Sequence, residues 1–108
     1  MTAARQFDAV STSGPQLQVA RGAERGTVFV LRPGATSVGR DPGAQLRLDD
    51  TSVSGEHAEL RYADGQVVLH DRGSFTGTYV NREVVREAVL ADGDEIWIGK
   101  FRFHFRAA

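Results

Sequence analysis

The chain is 108 residues long, with thirteen Lys and Arg against fourteen Asp and Glu and a formal net charge of −1. That length suits one domain around a single hydrophobic core, and the balanced charge argues against a nucleic-acid binder that works by neutralising many phosphates. There is no cysteine, which excludes a disulfide framework and a thiolate metal site. No run approaches the ~18 apolar residues of a membrane span, and the first residues lack the apolar core of a signal peptide, so a cytoplasmic protein without membrane insertion is expected.

In chain order, residues 1–14 are polar and without sustained periodicity, as in a flexible N-terminal tail, and 15–106 form the expected domain. Short strands follow at close intervals. Leu17-Gln18-Val19 alternates, Thr27 to Leu31 reads as a buried run, and Thr36-Ser37-Val38 leads into Gly39-Arg40 after a turn at Pro33-Gly34. Leu46-Arg47-Leu48 and Ala58 to Tyr62 alternate, and Asp64-Gly65 signals a tight hairpin with Val67-Val68-Leu69 as its return strand. Thr78-Tyr79-Val80 and Val84-Val85 flank a turn at Asn81-Arg82. Asp92-Gly93 opens the last hairpin, Glu95 to Gly99 against Phe101 to Phe105, the clearest period-two pattern in the chain. No segment carries a helical stripe over three turns. The expected class is all-β, about 10–11 short strands in a two-sheet sandwich.

Three loops between these strands carry the chemistry. They hold Gly39-Arg40, then Thr51-Ser52-Val53-Ser54-Gly55-Glu56-His57, then the hydroxyl-rich glycine turn Gly73-Ser74-Phe75-Thr76-Gly77-Thr78. A guanidinium fork beside small hydroxyl donors suits a phosphate dianion, because charge-assisted hydrogen bonds are about twice as strong as neutral ones. One arginine can do this without making the surface basic. Ser54, Ser74, His57, His70 and Asp71 also include the residue types of a hydrolytic triad. Their context is wrong: the sequence has no Gly-x-Ser-x-Gly elbow, no phosphate loop ending in Lys-Ser/Thr and no His-Glu-x-x-His. His70 and Asp71, adjacent in a strand, point to opposite faces. The expected role is binding, with no catalytic residues, no cofactor and no metal.

Gly39-Arg40, Ser54-x-x-His57 and Gly73-Ser74-x-x-Gly77-Thr78, in this order and at these separations, resemble the forkhead-associated (FHA) domain over roughly Gln16 to Phe105. Thr78 to Glu83, Leu90 to Glu95 and Ile98 to Phe101 look most like small actinobacterial FHA regulators of central nitrogen metabolism. The resemblance implies a sandwich of two twisted sheets with ligand loops at one end. It also implies a phosphothreonine-containing protein or peptide as ligand and a Ser/Thr protein kinase as partner. On that pattern Arg40 and Ser54 contact the phosphate and position 76 holds the peptide main chain. Gly55, Ser74 and Phe75 belong to the same surface, while Gly39, His57 and Gly77 support it. This chain has Thr76 where the family usually has asparagine, Gly55 where it often has a basic or amide residue, and Glu56 beside it. Those departures keep a second reading open, a phosphate-independent interaction domain on the same sandwich.

Overall fold

The computed structural model describes residues 14–22 and 24–108. The expected tail, apart from Gly14, lies outside the described residues. Eleven strands follow one another among these: β1 Gln16–Val19, β2 Val28–Val30, β3 Gly34–Gly39, β4 Leu46–Arg47, β5 Ala58–Ala63, β6 Gln66–Asp71, β7 Thr78–Val80, β8 Glu83–Val85, β9 Glu87–Val89, β10 Glu95–Ile98 and β11 Phe101–Arg106. They form a six-stranded sheet, β2-β1-β11-β10-β7-β8, and a five-stranded sheet, β4-β3-β5-β6-β9. All pairings are antiparallel except β3 with β4.

Alternation places one side of each strand in a common core. Leu17, Ile96, Ile98, Phe103 and Phe105 come from the first sheet and Val38, Ala58, Leu60, Val67 and Leu69 from the second, all fully or almost fully buried. Burying each large side chain contributes about 1.5–3 kcal/mol, so the inward row of each strand fixes its register. The run Thr27 to Leu31 is not buried as the sequence suggested. Val28 and Val30 are 40% and 43% exposed, while Phe29 packs against the core and Leu31, just past β2, is buried in it. The reason is position: β2 is an edge strand paired on one side with β1, so period-two alternation leaves both valines outward. Residues 82–90 are also split, since β8 ends the first sheet and β9 crosses to pair with β6 in the second.

Both expected hairpin turns take positive φ at two successive positions, Asp64 (53°) and Gly65 (75°), then Asn81 (52°) and Arg82 (71°). That is the backbone of the I′ turn, whose twist matches the flanking strands. Arg82 is unusual there. Its conformation is held by Asn81, whose amide donates to Asp94 Oδ1 at 2.9 Å and accepts from the Glu95 N–H at 3.0 Å.

The β3–β4, β4–β5, β6–β7 and β10–β11 connections gather at one end of the sandwich. Gly39 sets the closest approach: its carbonyl accepts from Leu48 N–H, while Arg40 and Asp41 N–H donate to the carbonyls of Ser54 and Gly55 at 2.9 and 3.2 Å. A Cβ on residue 39 would overlap the Gly55 carbonyl oxygen, a backbone atom with nowhere to go. Gly39→Ala should therefore cost about 1–3 kcal/mol and lower Tm by roughly 4–8 °C per kcal/mol, measured by calorimetry. A variant that melts with the parent would contradict this reading of the loop junction.

Candidate functional site

His57 is fully buried and joins two loops. Its Nδ1 accepts from the Ser54 N–H at 3.1 Å, so that nitrogen carries no hydrogen. Nε2 therefore bears the proton and donates to the Gly77 carbonyl at 3.0 Å. The His57 backbone is tied as well, its N–H to the Val38 carbonyl and its carbonyl to the Arg72 N–H. Buried, with both ring nitrogens paired inside the protein, it offers no free polar atom to a ligand. Gly77 meets it in a left-handed conformation, φ 90°, which glycine adopts without strain.

Asp71, at the end of β6, organises the third loop. Its Oδ1 accepts from the hydroxyls of Ser74 (2.5 Å) and Thr78 (2.6 Å), and its Oδ2 from the N–H groups of Gly73 (2.9 Å) and Ser74 (3.1 Å). Ser74 Oγ in turn accepts from the Gly77 N–H at 3.0 Å. Ser74 thus has its only hydrogen committed inward, toward Asp71 and away from solvent. Thr78 is fully buried in the same network.

Ser54 has the opposite arrangement. Its Oγ accepts from the Phe75 N–H at 2.9 Å, and its own hydrogen has no acceptor among the described residues. Arg40 lies one hydrogen bond away, its N–H on the Ser54 carbonyl, and its carbonyl accepts from Arg47 Nε at 3.0 Å. The Arg40 side chain is exposed and has no ion-pair partner among the described residues. Phe75, 96% exposed, and Thr76 form the rim. Thr76 Oγ1 makes one long contact, 3.4 Å to the Ser52 carbonyl. Gly55 leaves room for the Asp41 carboxylate, which a Cβ at 55 would meet at 2.5 Å. Arg40, Ser54, Gly55, Phe75 and Thr76 thus meet at one end of the sandwich, while Gly39 and His57 are buried beneath them and Ser74 and Gly77 are tied into the Asp71 and His57 hydrogen bonds.

A second network, not anticipated from the sequence, ties the β4–β5 loop to the β10–β11 turn. Asp50 Oδ2 accepts from the Ser52 N–H at 2.9 Å, Lys100 Nζ lies 3.1 Å from Asp50 Oδ1, and Ser52 Oγ accepts from the Lys100 N–H at 2.9 Å. Both unanticipated aspartates head Asx turns, each accepting from the N–H two residues on. The signal was present as Asp-x-Ser at 50–52 and Asp-x-Gly at 71–73.

With the arrangement in view, comparison with known proteins identifies the family. The FHA domain model matches residues 36–99, from β3 to the β10–β11 turn. This chain belongs to the FHA domain family. It is 52% identical over 89 residues to the glycogen accumulation regulator GarA of Mycolicibacterium smegmatis, covering 82% of this chain and 56% of that protein. It is 45% identical over 105 residues to the oxoglutarate dehydrogenase inhibitor of Corynebacterium efficiens, covering 97% of this chain and 74% of that protein. The chain thus spans little more than half the length of the first of these relatives. An FHA domain solved in work on phosphothreonine-dependent FHA interactions is 39% identical, with a TM-score of 0.80 over 87% of this chain and 96% of its own. The all-β sandwich read from the sequence is therefore the FHA fold. Among the described residues no helix is long and apolar enough to cross a membrane.

The acidic groups of the FHA loops make stability depend on pH in a stated direction. Burial raises the Asp71 pKa, but the hydroxyls of Ser74 and Thr78 and the N–H groups of Ser74 and Gly73 outweigh it and hold the carboxyl below its usual 3.8. Asp50 is lowered from 3.8 to about 2 by Ser52, through its side chain and its N–H, and by Lys100. Both carboxyls bind protons more weakly folded than unfolded. Their contribution is complete above the unfolded value and is lost as pH falls through the folded one. Tm should be flat above about pH 5 and fall between about pH 4 and 2. Asp71→Asn should lower Tm at neutral pH and make that acid fall shallower; an unchanged acid limb in a folded variant would count against the Asp71 network.

Proposed function

We propose that this chain is a non-catalytic phosphothreonine-reading module of Ser/Thr kinase signalling in the cytoplasm. The observation that carries the reading is the pairing of Ser54, its oxygen held by Phe75 N–H, with Arg40 one backbone hydrogen bond away, the Ser54 hydroxyl hydrogen and the Arg40 guanidinium both without a partner among the described residues. A phosphothreonine brings about −1.5 to −2 charge and three acceptor oxygens. Arg40 supplies the charged fork and Ser54 the hydroxyl donor, while Thr76, Phe75 and Gly55 face the flanking peptide. Ser74 acts through the loop, because its hydrogen is spent on Asp71. The partner is a protein carrying a phosphothreonine placed there by a Ser/Thr kinase. The names of the two relatives, a regulator and an inhibitor, support a regulatory role by binding.

Thr76 favours the second reading, a phosphate-independent interaction on the same loops. It has one hydroxyl on a short arm, where an asparagine could donate and accept through separate atoms. Asp41 and Glu56 beside Gly55 add negative charge to the same rim. Titrating a phosphothreonine peptide against its unphosphorylated counterpart separates the two. We expect binding of the phosphorylated peptide alone. Equal affinity for both would replace the first reading with the second.

Arg40→Ala should weaken phosphopeptide binding by about 10- to 150-fold, the loss of charge-assisted bonds of about 1.5–3 kcal/mol, with Tm unchanged. Parental affinity in the folded variant would remove Arg40 from the site. Binding by the wild type should also weaken as pH falls from about 7.5 to 5.5, since the second phosphate pKa is near 6, and flat calorimetric affinity across that range would exclude dianion recognition.

A further inference from the structure

Asp50, Ser52 and Lys100 lie outside the group formed by Arg40, Ser54, Gly55, Phe75 and Thr76, yet they hold two of its members in place. Every polar group of Ser52 is in use. Its N–H donates to Asp50 Oδ2 at 2.9 Å, and its hydroxyl also acts on the Asp50 carboxylate. Its Oγ accepts from the Lys100 N–H at 2.9 Å and its carbonyl from Thr76 Oγ1 at 3.4 Å. Lys100 Nζ closes the ring, 3.1 Å from Asp50 Oδ1.

The approach is as close as glycine allows. Gly99 has φ 56°, and a Cβ there would come within 2.6 Å of both the carbonyl oxygen and the Oγ of Ser52. The β10–β11 turn is thus pressed directly onto the β4–β5 loop. The ion pair adds little stability by itself, because the Lys100 side chain is 65% exposed and solvent screens such pairs. What the tie controls is the path of the next residues. The Asp50 carbonyl accepts from the Val53 N–H at 3.0 Å, and the Val53 side chain is buried in the core. Ser54 follows at once, its own N–H held from behind by His57 Nδ1. Ser54 therefore stands between two anchors, Asp50 in front and His57 behind, and Thr76 is reached through the Ser52 carbonyl.

We infer that Asp50 and Ser52 are positioning residues for ligand binding: they set where Ser54 and Thr76 meet the ligand while touching none of it themselves. The inference rests on the phosphothreonine reading above. It gives the β10–β11 turn a part in binding that is exerted only through Ser52. With the front anchor cut, His57 and Val53 still hold the loop in the fold, but the Ser54 hydroxyl and Thr76 are no longer fixed before the ligand arrives. Binding must then order them, and the cost appears as lost affinity.

Calorimetric titration of the whole chain with a phosphothreonine peptide, the unphosphorylated peptide serving as control, tests this well below the melting temperature of every variant. Asp50→Ala should weaken phosphopeptide binding roughly 2- to 12-fold, the equivalent of one net hydrogen bond. Asp50→Asn keeps an acceptor for the Ser52 N–H and should recover most of that loss. Ser52→Ala, which removes the link to the Lys100 N–H, should fall in the same range, and it carries the test if Asp50→Ala does not fold. A merely structural role would lower Tm alone, so coupling decides. In a background carrying both Ser54→Ala and Thr76→Ala, where Arg40 still meets the phosphate, Asp50→Ala should change affinity less than about 2-fold while lowering Tm as much as it does in the parent. No loss of affinity in the parent, or an equal loss in that background, overturns this inference and leaves the phosphothreonine reading intact. Parental binding indifferent to phosphate overturns that reading, and this inference with it.

Discussion

One neutral imidazole holds the functional end of this molecule together. His57 bridges a loop that precedes β5 and a loop that precedes β7, accepting at one ring nitrogen and donating at the other. Each such bond contributes only about 0.5–1.5 kcal/mol net, but its burial makes the geometry restrictive, because an unsatisfied polar atom in that position is costly. Both loops leave the five-stranded sheet, from β4 and β6, but they end in different sheets, at β5 and β7, so strand pairing alone does not set their spacing. The ring does. Ser54 follows from it directly, since the N–H that His57 captures is the Ser54 N–H.

The hydroxyl groups around this bridge are then sorted by Asp71. Ser54, Ser74 and Thr78 are chemically alike, and all three lie within the family motif. Asp71 draws the hydrogens of Ser74 and Thr78 inward, whereas that of Ser54 has no acceptor among the described residues. The loop that presents Phe75 and Thr76 is therefore rigid at its base and exposed at its tip. The Asp50–Ser52–Lys100 tie does the same on the side facing β10 and β11. On the proposed function, binding falls to the few groups that this network leaves unused.

Much of this was legible in the sequence for physical reasons. Period-two alternation in Phe101 to Phe105 and positive-φ residues at Asp64-Gly65 and Asn81-Arg82 are local signals, and they gave strands and hairpins at the right places. The family spacing of Gly39-Arg40, Ser54-x-x-His57 and Gly77 led to the surface where those residues meet. What was missed depends on position in the fold. Whether Val28 and Val30 are buried is decided by β2 lying at an edge, which no window of five residues contains. Ser74 looked like a ligand group because its motif is loop-borne, and only the three-dimensional placement of Asp71 shows where its hydrogen goes. The Asp50–Lys100 tie joins residues fifty apart in the chain and leaves no local mark beyond an Asx turn.

On the proposed function, a pair of loops locked by His57 presents Arg40 and Ser54 to a phosphate. Backbone amide NMR during titration with a phosphothreonine peptide tests this most directly. The largest shifts should fall on Arg40, Ser54, Gly55 and Phe75 to Gly77, with β1 and β2 unmoved and no response to the unphosphorylated peptide. Shifts centred on the opposite end of the sandwich, or the same shifts with the unphosphorylated peptide, would contradict it.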